Sequence, residues 1–248
     1  MRITFVVPSR RSFRLAGAVG LALVTGAMAA CSADSPVSPT GGSTGAKLSV
    51  INGAPGAVRV VVDGVTRIPS LAAASVSTAL DVGVGAHAVE LQAIASGTLS
   101  GTSSTSVMAS AGGTAFVTAR AATSGAVVAG VVTDSGSVPA PGMSKLRVIH
   151  LAASAPALDV WRTQPDFTTP IRTMFPFPYS AQSSFIQSTP GAWEVIVTNA
   201  SAPTAGEPDP RTNALATLSL TINAGVAQTV VILDKAGGGV VLSLLTGN

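Results

Sequence analysis

The chain has 248 residues, of which 10% are charged and 4% aromatic, and it contains one cysteine. Its formal net charge of +3 depends on four arginines among residues 1–30, a segment that has no acidic residue. The rest of the chain has 10 basic and 11 acidic side chains, a net charge of −1. Because no cluster of Lys and Arg remains to follow a phosphate backbone, nucleic-acid binding is excluded as a leading hypothesis.

Residues 1–30 have the parts of a secretory signal peptide, namely an arginine-rich start, an apolar middle and small residues before Cys31. The apolar run before Cys31 is shorter than the about 20 residues that span a bilayer as a helix. Ser9-Arg10-Arg11-Ser12-Phe13 resembles the twin-arginine export signal, and both that route and the general secretory route stay open. Met28-Ala29-Ala30-Cys31 resembles a bacterial lipobox, which implies cleavage before Cys31 and acylation of its thiol.

Acylated Cys31 would anchor the protein to a membrane, because each buried methylene contributes about 0.8 kcal/mol and two or three acyl chains act together. The alternative is that Cys31 is an ordinary free thiol; it has no second cysteine with which to form an intrachain disulfide. Residues 31–46 are rich in Ser, Pro, Gly and Thr, a composition that predicts a flexible tether. Ser32 follows the cysteine, and by resemblance to Gram-negative lipoproteins this implies sorting to the outer membrane if the organism is Gram-negative.

From residue 47 onwards the chain repeats one strand-rich pattern. Three pairs of segments correspond: Lys47–Ile51 with Lys145–Ile149, 114–120 with 227–233, and 126–132 with 239–245. In each copy the first segment is followed by a small-residue turn with a proline and then by an apolar strand. The repeat predicts two domains, residues 47–134 and residues 144–248, joined by a Ser-, Pro- and Gly-rich segment.

Both copies consist of short β-rich runs separated by Gly, Pro, Asn or Asp. Leu218–Ile222 alternates with a period of two, as a half-buried strand does, and helical signals after the signal peptide are weak. The predicted fold class is therefore all-β, with two tandem Ig-like antiparallel β-sandwich domains after a signal peptide and a flexible linker. The Cys…Trp…Cys pattern of true immunoglobulin domains is absent.

The segment Lys145–Trp161 resembles the opening of the bacterial family called domain of unknown function 4397. That opening has a valine-arginine-valine-histidine run, small residues, a proline, and an aspartate-valine-tyrosine run. The first copy departs from it with Asn52 at the histidine position and Arg59 near the aspartate position. The resemblance implies exported, often lipid-anchored β-sandwich proteins that have no assigned reaction, and it supplies no catalytic residues.

His150 and Asp159 flank the first turn of the second copy and are the most enzyme-like pair in the chain. Either the carboxylate orients the imidazole for chemistry, or the two form a structural bond that pins the turn. Two of the acids Asp159, Asp166 and Glu194 could also serve as paired carboxylates for glycoside hydrolysis, although nothing in the sequence brings any two of them together. The acidic segment Glu207–Asp209 is interpreted as a solvated turn or a weak calcium loop. No catalytic residue, metal site or cofactor is predicted, because no nucleophile elbow, HExxH motif or EF-hand loop occurs.

Seven of the eight aromatic residues after Cys31 lie between Trp161 and Trp193. The two tryptophans lie in predicted strands and are expected in the core. Phe175, Phe177 and Tyr179 belong to a proline-rich stretch that we expect to be either a hydrophobic plug or an exposed recognition loop.

Together these features predict an exported protein that is lipid-anchored in the cell envelope and has a non-catalytic binding or scaffolding role. Its expected partners are the membrane, through the anchor, and an envelope glycan or protein. The alternative is an envelope hydrolase or glycan-processing enzyme that uses His150, Asp159 or Glu194.

Overall fold

The computed structural model describes residues 45–122, 124–132, 139–163, 171–202 and 208–246. The predicted signal peptide, Cys31 and most of the predicted tether lie outside these described residues. Within them the chain forms strands and one short 3₁₀ helix, Pro210–Asn213, so the all-β prediction is confirmed. All the described residues belong to one compact unit.

The first half, residues 45–132, contains nine strands in two sheets. They are β1 (Ala46–Gly53), β2 (Ala57–Val62), β3 (Val65–Leu71), β4 (Ser75–Val76), β5 (Leu80–Val82), β6 (Gly85–Ala95), β7 (Thr98–Ala109), β8 (Thr114–Ala121) and β9 (Val127–Val132). Sheet 1 has the order β4-β1-β8-β9, with β5 also paired to β1, and sheet 2 has the order β3-β2-β6-β7. Leu48, Val58, Leu91 and Val117 meet in the core between the two sheets.

The second half, residues 139–246, repeats this arrangement with eight strands. They are β10 (Ser144–His150), β11 (Ala157–Thr163), β12 (Ile171–Pro178), β13 (Ile186–Ser188), β14 (Gly191–Asn199), β15 (Ala216–Ile222), β16 (Ala227–Asp234) and β17 (Val240–Thr246). Sheet 3 has the order β13-β10-β16-β17, and sheet 4 has the order β12-β11-β14-β15. Leu146, Val160, Trp193 and Ile232 belong to the core between these sheets.

The sandwiches are largely antiparallel, as predicted, and each also contains one parallel pair of strands. β1 runs parallel to β8, with Lys47 beside Thr114, and β10 runs parallel to β16, with Lys145 beside Ala227. The reason is that β7 brings the chain back to the end where β1 begins, so β8 starts beside the start of β1 and runs in the same direction. Such a parallel pair is possible because many residues, rather than a tight hairpin turn, connect the two strands.

Sheets 1 and 3 also pack on each other through a third apolar cluster that includes Ile51, Phe116, Leu151 and Val231. Both faces of β1 are therefore buried, because Leu48 and Val50 face the core of the first half while Ile51 faces the second. The approach is close at Gly53, where an added Cβ would lie 2.6 Å from the Cβ of Leu151.

Candidate functional site

The turn after the first strand of each half is held by one buried side chain. In the first half the Oδ1 of Asn52 accepts a hydrogen bond of 3.0 Å from the backbone N–H of Ala54. In the second half the Nδ1 of His150 accepts one of 3.3 Å from the backbone N–H of Ala152. Both side chains are fully buried, and both accept a hydrogen bond from the backbone two residues ahead. Asn52 and His150 therefore stabilise corresponding turns in the two halves.

His150 lies inside the second sandwich among aromatic rings. Its ring centroid is 6.0 Å from that of Phe177, in a stacked arrangement, and 6.0 Å from that of Tyr179, edge to face. Burial lowers the pKa of His150 below its usual value, against smaller opposing effects of the Ala155 backbone and the Asp234 carboxylate. The imidazole is therefore favoured in its neutral form, which suits the acceptor role of Nδ1.

Asp159 lies on a different surface, the outer face of sheet 4. It is fully buried there, where its Oδ2 pairs with the guanidinium of Arg172 and accepts a hydrogen bond of 2.9 Å from the backbone N–H of Ser201. Leu158 and Val160, on either side of it in β11, point into the core, so strand alternation turns Asp159 outwards. The structure does not bring His150 and Asp159 together, and each has its own partners.

The remaining acids named from the sequence also have structural bonds. Glu194 accepts a hydrogen bond of 2.9 Å from the Nε of Arg211. Asp209 caps the 3₁₀ helix by accepting a hydrogen bond of 2.9 Å from the backbone N–H of Arg211. Asp166 and Glu207 lie outside the described residues. Glu194 and Asp209 thus both hold Arg211 in the 3₁₀ helix.

Both tryptophans are buried, as expected, but in different places. Trp193 belongs to the core of the second half. Trp161 lies on the outer side of sheet 4, where its Nε1 donates a hydrogen bond of 3.2 Å to the Oγ1 of Thr198. Trp161, Pro208 and Pro210 line a cavity of about 30 Å³.

Residues Ile171–Pro178 of the proline-rich aromatic stretch form strand β12 and not a loop, and Tyr179 lies in the turn that follows. Phe177 is buried in the core of the second half, and the hydroxyl of Tyr179 donates a hydrogen bond of 2.8 Å to the carbonyl of Ala121 in the first half. Phe175 is 49% exposed, and the guanidinium carbon of Arg172 lies 4.9 Å from the centre of its ring. Of the three predicted binding residues, only Phe175 presents a largely exposed ring.

Sequence reasoning missed an ion pair in the first half. The Nδ1 of His87 lies 2.6 Å from the Oδ2 of Asp63, and its Nε2 lies 2.7 Å from the carbonyl oxygen of Gly83. The hydrogen bond to Asp63 raises the pKa of His87 above its usual value, and the same bond lowers the pKa of Asp63. The two residues are 24 positions apart, so no local motif marks them.

A second feature without a motif is a cavity of about 360 Å³ that opens between the halves. Arg147, only 2% exposed, lines it, and its Nε donates a hydrogen bond of 2.9 Å to the Oγ1 of Thr229. The guanidinium carbon of Arg147 lies 4.5 Å from the centre of the Phe185 ring, which stacks on it. The residues that line this cavity come from distant parts of the chain, so no local sequence signal marks it.

Among the described residues, no group of three or more His, Cys, Asp and Glu side chains has the arrangement of a metal site. The same part of the chain contains no helix of the length and apolar character needed to cross a membrane.

Residues 46–161 match the family model of the domain of unknown function DUF4397. The resemblance predicted from the Lys145–Trp161 segment is therefore confirmed, and the match extends over the whole first half. No curated protein is a significant match to the chain.

Two solved structures share a distant similarity with the chain. One is the Bacillus anthracis TIE protein, with 12% identity, a TM-score of 0.25, and coverage of 76% of this chain and 33% of that one. The other is a leucine-rich repeat protein from Bacteroides thetaiotaomicron, with 11% identity, a TM-score of 0.23, and coverage of 75% of this chain and 26% of that one. The chain thus spans a third or less of the length of these proteins.

Proposed function

We propose that this chain is a lipid-anchored protein of the bacterial cell envelope, and that its β-sandwiches have a non-catalytic binding or scaffolding role. The anchor is supported by the sequence Met28-Ala29-Ala30-Cys31, which ends a signal-peptide pattern and precedes a Ser-, Pro- and Gly-rich stretch. The first strand begins at Ala46, directly after that stretch. The folded part would therefore be held close to the membrane by a short connection.

The non-catalytic role is supported by how the candidate polar side chains are used. His150 pins a turn, Asp159 neutralises Arg172 inside the protein, and Glu194 holds Arg211. A general acid or base must be able to reach a substrate, and these groups are engaged in bonds that stabilise the fold instead. The hydrolase alternative lacks a shared cleft for them, because His150 lies inside the sandwich and Asp159 on its outer face.

The exposure of the Phe175 ring is the observation that supports the proposed binding role. Its ring is largely exposed and stacks on Arg172, whose guanidinium is itself fixed by the buried carboxylate of Asp159. An exposed aromatic held in one orientation loses little entropy on binding, and such residues are frequent anchors at interfaces and on sugars. We propose that Phe175 contacts an envelope glycan or protein.

Metabolic labelling with a fatty-acid analogue tests the anchor. We expect label on the wild-type chain and on the control variant Ser32→Ala, and none on Cys31→Ala, because only the thiol can receive the thioether-linked lipid. Equal labelling of the wild type and Cys31→Ala would refute the anchor.

A binding screen with glycans and envelope proteins tests the surface. We expect Phe175→Ala to weaken whichever interaction is found, and Val241→Ala, an exposed apolar residue on β17, to leave it unchanged. Phe177→Ala is unsuitable as a probe because Phe177 lies in the core and its truncation destabilises the fold. Binding that is indifferent to Phe175→Ala would contradict the assignment.

A further inference from the structure

Three exposed apolar side chains lie at one end of the first half, where β1 begins. This end, called here the tether end, comprises the start of β1 at Ala46, the start of β3 at Val65, the start of β6 at Gly85 and the end of β7 at Ala109. Strand pairing joins these points, since Ala46 pairs with Val82 and Gly85 pairs with Ala109. The backbone N–H of Gly112, directly after β7, donates a hydrogen bond of 3.3 Å to the carbonyl of Gly45.

The exposed apolar residues of the first half are distributed unevenly. Val65, Val84 and Met108 are 57%, 60% and 68% exposed, and all three lie at the tether end. The other large apolar residue with high exposure in this half, Leu99, lies at the opposite end of the β6–β7 hairpin. Met108 also lines the cavity between the halves, and large exposed apolar patches are typical of contact surfaces.

Charges at the tether end are balanced. Lys47 pairs with Asp81 at 2.6 Å, and His87 pairs with Asp63 at 2.6 Å. Arg67 donates a hydrogen bond to the carbonyl of Asp81. The two acids named here, Asp63 and Asp81, are matched in number by the cations Lys47 and Arg67, so these described residues do not repel an anionic surface.

The position of Cys31 identifies what the surface faces. Fourteen residues, 32–45, separate Cys31 from β1. A chain of that length spans at most about 50 Å, and a Ser- and Gly-rich chain spans about 20 Å on average. Leu99 and Met108 are nine residues apart on one strand, so the far end of the sandwich is about 30 Å further away. An acylated Cys31 would therefore hold the tether end nearer the bilayer, on average, than the far end.

We propose that the tether end docks on the lipid surface that holds the acylated Cys31, with Val65, Val84 and Met108 inserted among the headgroups. This inference rests on the proposed lipid anchor and adds an orientation to it. Short apolar side chains that enter the interface contribute membrane affinity in proportion to their buried area. Attachment through the tether makes even a weak contact effective, because the local concentration of the bilayer is high. The long axis of the first sandwich then stands away from the membrane.

Quenching of tryptophan fluorescence by brominated lipids tests the orientation. The chain from Cys31 to Asn248, which contains every described strand, is coupled through the Cys31 thiol to a maleimide lipid in vesicles of phosphatidylethanolamine and phosphatidylglycerol. Trp161 and Trp193 are buried and supply a constant background. We expect Val84→Trp to lose its added emission in brominated vesicles and to shift to shorter wavelength, and the matched control Leu99→Trp to do neither.

The coupled chain keeps this test separate from the test of the anchor, because it needs no acylation by the cell. Adding Val65→Asp and Met108→Asp to Val84→Trp should abolish the quenching, whereas the fold of the unattached variant, checked by circular dichroism, should be unchanged. Equal emission of Val84→Trp in brominated and ordinary vesicles would overturn the docking proposal. The expected contact of the tether end would then be a protein. Equal quenching of Val84→Trp and Leu99→Trp would also overturn it, since the chain would then have no preferred orientation.

Discussion

Asn52 offers the sharpest test of how the first turn is held. Its side chain is fully buried, and its Nδ2 lies 2.9 Å from the carbonyl oxygen of Gly56, 3.0 Å from that of Leu71 and 2.9 Å from that of Ala72. The two N–H groups of the amide thus serve three acceptors, of which the Leu71 carbonyl is buried and the other two are partly buried. Asn52→Asp keeps the shape and the acceptor for Ala54 but removes both donors.

The expected loss follows from these contacts. Each buried acceptor left without a donor costs about 1–3 kcal/mol, so two lost N–H groups predict a decrease of about 2–6 kcal/mol in the free energy of unfolding. That is a large part of the about 5–15 kcal/mol that stabilises a typical domain. The substituted carboxylate would face three carbonyl oxygens in a dry environment, which raises its pKa.

Urea denaturation followed by circular dichroism measures this loss. Because the pKa of the new carboxyl group is raised, part of the lost stability should return as the pH is lowered toward about 4, where the protonated acid supplies one O–H donor. Asn199→Asp, at an exposed asparagine on β14, is the control and should change little at either pH. A loss below about 0.5 kcal/mol, or an equal loss in Asn199→Asp, would refute the assignment of Asn52 as the pin of the turn.

Three further predictions concern the contact between the halves and the histidines. Gly53→Ala should lower the free energy of unfolding by about 1–3 kcal/mol in urea, because the new Cβ would overlap the second half, whereas Gly101→Ala, which has open space, should not. Tyr179→Phe should cost about 0.5–1.5 kcal/mol in the same assay, since it removes the hydrogen bond to the first half, and an unchanged midpoint would refute that role. In a proton NMR titration of the two histidines, His87 should titrate above 6.5 and His150 below it. The contribution of His87 to the free energy of unfolding is complete below pH 6.5 and is lost as the pH rises through its folded pKa. His150 has the opposite effect, because its lowered pKa decreases the free energy of unfolding as the pH falls below 6.5. Titration of both histidines near 6.5 would contradict this prediction.

Strands that are flanked by turn residues can be predicted from the sequence. Strands whose formation depends on packing against other parts of the chain are predicted poorly. Residues 114–120 and 227–233, aligned by their flanking glycines, form β8 and β16. The stretch around Phe175 suggested a loop because it is rich in proline, yet it forms β12. That strand lies at the edge of sheet 4, where a proline that lacks an N–H is tolerated because no neighbour needs the donor.

Contacts between the halves have no local signal. β1 carries Leu48, Ser49, Val50 and Ile51, and the single serine suggests a strand with one polar face. The structure buries both faces, because sheet 3 covers the side that carries Ile51. The surface that covers this face of β1 belongs to sheet 3, whose residues lie about 100 positions away in the chain. The sequence near β1 therefore does not show what covers it. For the same reason the cavity beside Arg147 could not be predicted.

The two halves use different side chains to hydrogen-bond the backbone of the first turn. This explains why His150 and Asp159, the most enzyme-like pair, do not bind each other. A chain that crosses between two sheets buries backbone N–H groups that must be paired. In the first half Asn52 supplies both an acceptor and donors, whereas in the second half the Nδ1 of His150 accepts the hydrogen bond from Ala152. The carboxylate of Asp234 completes the second turn by accepting hydrogen bonds of 2.9 and 3.1 Å from the backbone N–H groups of Ala153 and Ser154. His150 and Asp234 are thus committed to closing this turn, so specific binding is to be sought at an exposed group such as Phe175, where a substitution is expected to change binding without breaking the fold.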